Sequence, residues 1–106
     1  MYVRIVTFHL DGITVEQYEA HCEQIAEAFN DWPGLIAKVW LRDADRTTFG
    51  GIYLFESKEA ADRSRATEIF VGMTNNPCFA DLSVAEYCTV GAPTAITART
   101  VHAGSE

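Results

Sequence analysis

A ferredoxin-like α+β domain is the fold this chain predicts, with element order βαββαβ and a four-stranded antiparallel sheet carrying its helices on one face. Three observations lead there. The chain opens on a β-branched run, Val3-Arg4-Ile5-Val6-Thr7-Phe8-His9. Two apolar stretches, residues 35–42 and 48–56, flank the polar turn Asp43-Ala44-Asp45-Arg46. Helix-start signals at Thr14 and Ser57 each follow a strand pattern.

The first strand is ended by Asp11-Gly12. Its alternation gives one face of Val3, Ile5, Thr7 and His9 and another of Arg4, Val6, Phe8 and Leu10. Both are mainly apolar, as expected if helices cover one and a second subunit covers the other. The content of Val6, Phe8 and Leu10 marks theirs as the face where two sheets meet.

Thr14-Val15-Glu16-Gln17 fits a capping box, so a helix starts there. Tyr18, Cys22, Ile25, Ala26 and Phe29 recur at helical spacing as its buried stripe. Asp31-Trp32-Pro33-Gly34 stops it, because proline restricts its predecessor and cannot continue the hydrogen-bond ladder. The strands at 35–42 and 48–56 then form a hairpin. Ser57 caps a second helical region, whose pattern is interrupted by Asp62-Arg63-Ser64-Arg65 and resumes at Ala66, Ile69, Phe70 and Met73, compatible with two short helices. Thr74-Asn75-Asn76-Pro77 ends it, and Leu82 to Val90 makes the last strand. Residues 1–92 are expected to form the domain and 93–106 a C-terminal tail without period, loose or lying across a partner.

A chain of 106 residues has room for a single modest core. With net charge −7 and its basic residues scattered, it offers no stripe to neutralise a phosphate backbone, and nucleic acid is not an expected partner. No apolar run approaches the roughly 20 residues that span a bilayer, and a strand pattern begins at once, so a cytoplasmic protein without membrane contact is expected. Cys22, Cys78 and Cys88 lack metal or redox spacing and read as free thiols of that compartment.

No phosphate-binding glycine loop, nucleophile elbow or zinc-ligand spacing of the three histidines is present, so neither metal nor cofactor is indicated. What remains is a small-molecule pocket between sheet and helices. Gly50 and Gly51 read as a vacancy in a strand, and Phe49, Tyr53 and Trp40 beside them read as its walls. Trp40 and Tyr53 are suited to stack on an aromatic ligand and donate a hydrogen bond, or to pack a core; the hairpin register decides which way they face. Phe70 and Phe79 are further candidate contacts. His9, at the end of an apolar strand face, is the candidate acid or base, with a hydrogen-bonded strand-end histidine as the alternative. Asn76 is either a helix-ending cap or a group that orients a carbonyl or oxyanion. Lys38 and Arg42 share the Trp40 side of their strand, where they attract an anionic substrate or snorkel to solvent.

Pro33-Gly34-Leu35, Lys38-Val39-Trp40 and Gly50-Gly51-Ile52-Tyr53-Leu54-Phe55 resemble the YdhR-like monooxygenase family within the dimeric α/β barrel superfamily, and the order of elements extends the likeness over residues 2–95. The resemblance implies a homodimer whose sheets face each other. It also implies a cofactor-independent monooxygenase or related tailoring enzyme acting on an aromatic, polyketide-like small molecule. In such enzymes an electron-rich phenolate itself reduces dioxygen, so protein groups deprotonate, orient and exclude water. His9 would then remove a proton, Trp40 and Tyr53 would hold the ring and developing peroxide, and Asn76 would add a contact. The superfamily's polyketide cyclases carry a histidine near the beginning of the first strand, where Val3 stands here, and another after the second helix, where this chain has Asn76-Pro77-Cys78-Phe79. An oxygen-independent cyclase or isomerase and a noncatalytic dimeric ligand-binding protein are the alternatives.

Overall fold

The computed structural model describes residues 1–98. Strand β1 (Tyr2–Leu10) leads to helix α1 (Val15–Ile25), which tightens into a 3-10 segment (Ala26–Asp31) before the hairpin of β2 (Leu35–Arg42) and β3 (Thr48–Phe55). Helices α2 (Lys58–Ser64) and α3 (Glu68–Asn75), strand β4 (Phe79–Cys88) and a short helix α4 (Gly91–Thr97) follow. The strands lie in the order β2-β3-β1-β4, each antiparallel to its neighbour, which is the expected ferredoxin-like arrangement.

Local chemistry sets the helix boundaries. The Thr14 hydroxyl accepts from the Gln17 amide at 3.1 Å while the Gln17 side chain accepts from the Thr14 amide at 2.9 Å, completing the capping box. Ser57 accepts from the Ala60 amide, and Thr67 restarts the interrupted second region by accepting from the Phe70 amide. The interruption at Arg65 is thus a real break between α2 and α3. In the hairpin turn the Asp43 carboxylate accepts from the Thr47 amide and hydroxyl and the Thr48 amide. These bonds hold its pKa down at about 2.

The two faces of β1 are exchanged relative to the sequence expectation. Val6 (1% exposed) and Phe8 lie beneath the helices with Tyr2 and Arg4, so they are core and not the open surface. Leu10 packs partly against the same core. Val3, Ile5, Thr7 and His9 lie on the opposite face of the sheet, which among the described residues carries no helix of the core, beside the exposed Val39 and Tyr87. Period-two alternation defines two sets without saying which is inside.

Arg4 decides it. It is 0% exposed, and its guanidinium donates to Glu86 Oε2 at 2.7 Å, to Ser64 Oγ at 2.9 Å and to the Ala61 carbonyl at 2.8 Å. Those bonds tie β1 to β4 and α2, and the ring of Phe70 lies 4.8 Å from its Cζ. Arg65 and the Tyr2 hydroxyl complete the shell of Glu86. Its carboxyl is held below the usual range because the bonds and charges of Arg4 and Arg65 outweigh desolvation, the largest single influence. A cation satisfied this fully is tolerated in a core and serves as a cross-link.

Helix α4 corrects the reading of a tail without period, since a regular turn forms over Gly91–Thr97 with Pro93 in its first turn, where a missing amide costs nothing. It buries none of its residues. The rest of the tail, with His102, lies outside the described residues. Among the described residues no helix is long and apolar enough to cross a membrane.

Gly50 marks the tightest approach in the sheet. A Cβ there would sit 1.8 Å from the Val6 carbonyl oxygen, which cannot move without opening the β1–β3 ladder. Gly50→Ala is expected to cost at least about 3 kcal/mol, read as a lowered denaturation midpoint in urea; a variant as stable as the parent would mean that the two strands do not pack this closely.

Candidate functional site

The inner sheet face and helices α1 and α3 form a cavity of about 270 Å³, open on one side. Its floor is Val6 and Phe8 of β1, Gly51 and Tyr53 of β3, and Lys38 and Trp40 of β2. Tyr18, Cys22 and Phe29 close it from the α1 side, and Phe70 and Met73 from α3. The hairpin register explains the floor. Trp40 is opposite Gly51 and Lys38 opposite Tyr53, so all four side-chain positions share the inner face.

Of the residues singled out from the sequence, Trp40, Tyr53, Asn76, Gly50, Gly51, Phe70 and Phe79 come together around this cavity. Phe49 does not line it. It is buried under an adjoining groove of about 320 Å³ that also touches Tyr18, Trp40 and Arg42. His9 is on the opposite side of the sheet, 53% exposed at its side chain, with Nδ1 3.3 Å from Asp81. Its expected position in the pocket is therefore corrected, for the same reason that the β1 faces are exchanged. The Asn76 side-chain oxygen accepts from the Cys78 amide at 2.9 Å, so it caps the turn and leaves its amide NH2 as a donor.

The most unusual group is Lys38. Its Nζ lies 3.5 Å from the Trp40 ring centroid, 3.6 Å from that of Phe29 and 4.7 Å from that of Tyr53. Among the described residues no carboxylate pairs with it. Burial among apolar walls disfavours the charged form and lowers its pKa to about 7. The ring faces act the other way, since their quadrupoles attract an ammonium. The amine is thus poised between its two protonation states at physiological pH.

Gly51 makes that position possible. A Cβ on Gly51 would lie 3.1 Å from Lys38 Cε and 3.3 Å from the Val39 carbonyl oxygen, so a larger residue would crowd the lysine stem. The two glycines therefore do different work: Gly50 admits a neighbouring backbone and Gly51 admits a side chain. The phenols nearby stay protonated. Burial pushes Tyr53 up to about 12 and Tyr18 further still, and burial also raises the Cys22 thiol. The site offers the Lys38 amine, two phenols, the Cys22 thiol, His21, Glu68 and aromatic walls. Sequence reading grouped Lys38 with Arg42 by strand parity, but the signal for its burial, a glycine two residues from its pairing partner Tyr53 on the facing strand, becomes visible only with the register.

The fold is a ferredoxin-like α+β domain with a largely apolar cavity on its helix-covered sheet face. The family described as "Putative mono-oxygenase ydhR" matches residues 3–100, and the chain belongs to it. A search among curated proteins found no match. Among solved structures, the chain is similar to a putative antibiotic biosynthesis monooxygenase from Nitrosomonas europaea, at 20% identity, TM-score 0.71, covering 85% of this chain and 99% of that one. It is also similar to SnoaB, a cofactor-independent oxygenase from Streptomyces nogalater, at 17% identity, TM-score 0.70, covering 86% and 94%. MhuD, solved with two manganese protoporphyrin IX per active site, shares 20% identity with TM-score 0.68 over 85% and 95%. Family and neighbours support a monooxygenase-like role, and the diversity of ligands on one frame leaves the chemistry to the residues of the site.

Because Lys38 binds its proton less tightly when folded than unfolded, the unfolded chain holds more protons between the folded value of about 7 and the usual 10.5, and stability rises with pH across that window. Lys38→Met removes this slope. The variant is expected to exceed the parent in stability by on the order of 3 kcal/mol at pH 6, allowing for the ring contacts, with the gap closing towards pH 10. Parallel stability profiles, measured by urea denaturation across that range, would show that the amine is not desolvated.

Proposed function

We propose that this protein is a cofactor-independent monooxygenase acting on an aromatic, polyketide-like phenol in the cavity beside Lys38. The observation that carries the reading is a near-neutral amine in an aromatic cavity, without a carboxylate partner among the described residues, in a chain of the monooxygenase family. The free-base form of Lys38 takes the phenolic proton, and the resulting ammonium holds the phenolate. The phenolate passes one electron to dioxygen, the radical pair recombines to a ring hydroperoxide, and loss of water leaves a quinone. Dioxygen supplies one atom to the ring and one to water, so no external reductant is needed.

Trp40, Tyr53 and Phe70 supply flat apolar contact to the ring, and Gly50, Gly51 and Phe79 shape the remaining wall. The protonated Tyr53 hydroxyl donates to the developing peroxide, and the Asn76 NH2 group to a ring oxygen. In this reading the base is Lys38 and not His9. The enzyme works as a homodimer, since the open sheet face carries Val3, Ile5, Val39 and Tyr87, the last 57% exposed. A cytoplasmic location fits this chemistry.

Oxygen uptake with dihydroxynaphthalene or anthrone probes tests the reaction. Lys38→Met is expected to lower kcat by at least about 100-fold, the usual worth of a positioned base. Product formed at full rate under strict anaerobiosis would favour the isomerase alternative, and ligand binding without turnover in the parent would favour a carrier. Loss of uptake in His9→Ala together with its retention in Lys38→Met would move the chemistry to the other face.

The assembly is tested separately. Ile5→Glu puts a charge in the middle of the open face and is expected to convert a dimer into a monomer in analytical ultracentrifugation; a monomeric parent would overturn the proposed assembly.

A further inference from the structure

We propose that Lys38 is an imine-forming amine, and that the cavity captures aryl aldehydes or ketones by condensation at its Nζ. Four observations lead to this. The amine lines a largely apolar cleft, open on one side, large enough for a substituted aromatic ring. Among the described residues no carboxylate holds it as a permanent cation. Its stem crosses the inner face over Gly51, which has no side chain to displace it. The rings of Phe29 and Trp40, with centroids 3.6 Å and 3.5 Å away, flank the nitrogen and would stabilise the cationic iminium as they do an ammonium.

The step balances without a redox partner. The Nζ lone pair forms a bond to the carbonyl carbon, and the oxygen takes up both amine hydrogens and leaves as water. The Tyr18 and Tyr53 hydroxyls line the same cavity and remain protonated, so they are the donors available to the departing oxygen. An apolar enclosure favours the dehydrated adduct. The inference goes beyond the oxygenase reading and does not depend on it.

The chain carries an internal control, because its lysines are Lys38 and Lys58. Lys58 is exposed, paired with Asp62 at 2.9 Å and held in its charged form by that bond. Whole protein incubated with 2-hydroxy-1-naphthaldehyde and cyanoborohydride at pH 7.5 is expected to gain the mass of the aldehyde less one oxygen, with peptide mapping placing it on Lys38. Labelling there should be at least about tenfold faster than on Lys58, from the difference in free-base fraction. Lys58→Arg should keep the label and Lys38→Arg should lose it. Equal labelling of both lysines, or label confined to Lys58 and the N-terminus, would overturn the inference, as would a Lys38 that accepts formaldehyde but not the aryl aldehyde. The labelling needs no oxygen, so label without oxygen uptake refutes the oxygenase alone, and uptake without label refutes the imine alone.

Discussion

Two missing Cβ atoms on β3 are the constraint from which the cavity follows. At Gly50 the β1 backbone comes so near that no side chain fits against the Val6 carbonyl. At Gly51 the vacancy opens on the inner face, directly opposite Trp40, and the stem of Lys38 occupies it. One glycine closes the sheet and the next hollows it. A Cβ at the second position would crowd the lysine stem and shift it by a few tenths of an ångström.

The same sheet carries a second cation, fully buried where Lys38 is half-buried, and the contrast is informative. Arg4 spends its donors on Glu86, Ser64 and the Ala61 carbonyl, and so acts as a neutralised cross-link between elements. Lys38 meets aromatic faces and no such set of acceptors. A structural cation is paired because an unpaired one costs several kcal/mol. An amine left to be desolvated is therefore a cost that folding does not require, and near-neutral groups of this kind cluster where proton transfer or covalent chemistry takes place.

Much of the architecture was legible because its signals are local. The Thr14 capping box, the Ser57 cap, the Pro33 stop and the hairpin turn are each written in a few adjacent residues, and the element order followed from them. The broken middle of the second helical region was legible for the same reason, through polar residues where the stripe should continue. The facing of β1 was not, because both faces are apolar and the deciding fact is the long-range satisfaction of Arg4 by β4 and α2. His9 was misplaced with it. The aromatic wall of Trp40, Tyr53, Phe70 and Phe79 was anticipated from composition around the glycine pair, whereas the special position of Lys38 depends on which residue of β3 it crosses. Register is a tertiary quantity that short-range pattern does not encode.

The charge of the molecule bears on how the site would be filled. With net charge −7, Glu19 and Glu23 on α1 and Glu27 in the 3-10 segment after it, the surface near the groove repels anions. A phenolate would be slowed on approach, and a permanently charged lysine would have to attract it through that field. A neutral phenol or carbonyl compound meets no such barrier, and partitions into an aromatic cavity by burying its ring. Proton transfer or condensation can then occur inside, where the amine is in part unprotonated and the new charge is met by ring faces and not by bulk water. A lysine whose pKa is near 7 suits a substrate that arrives uncharged and becomes charged only after it is enclosed.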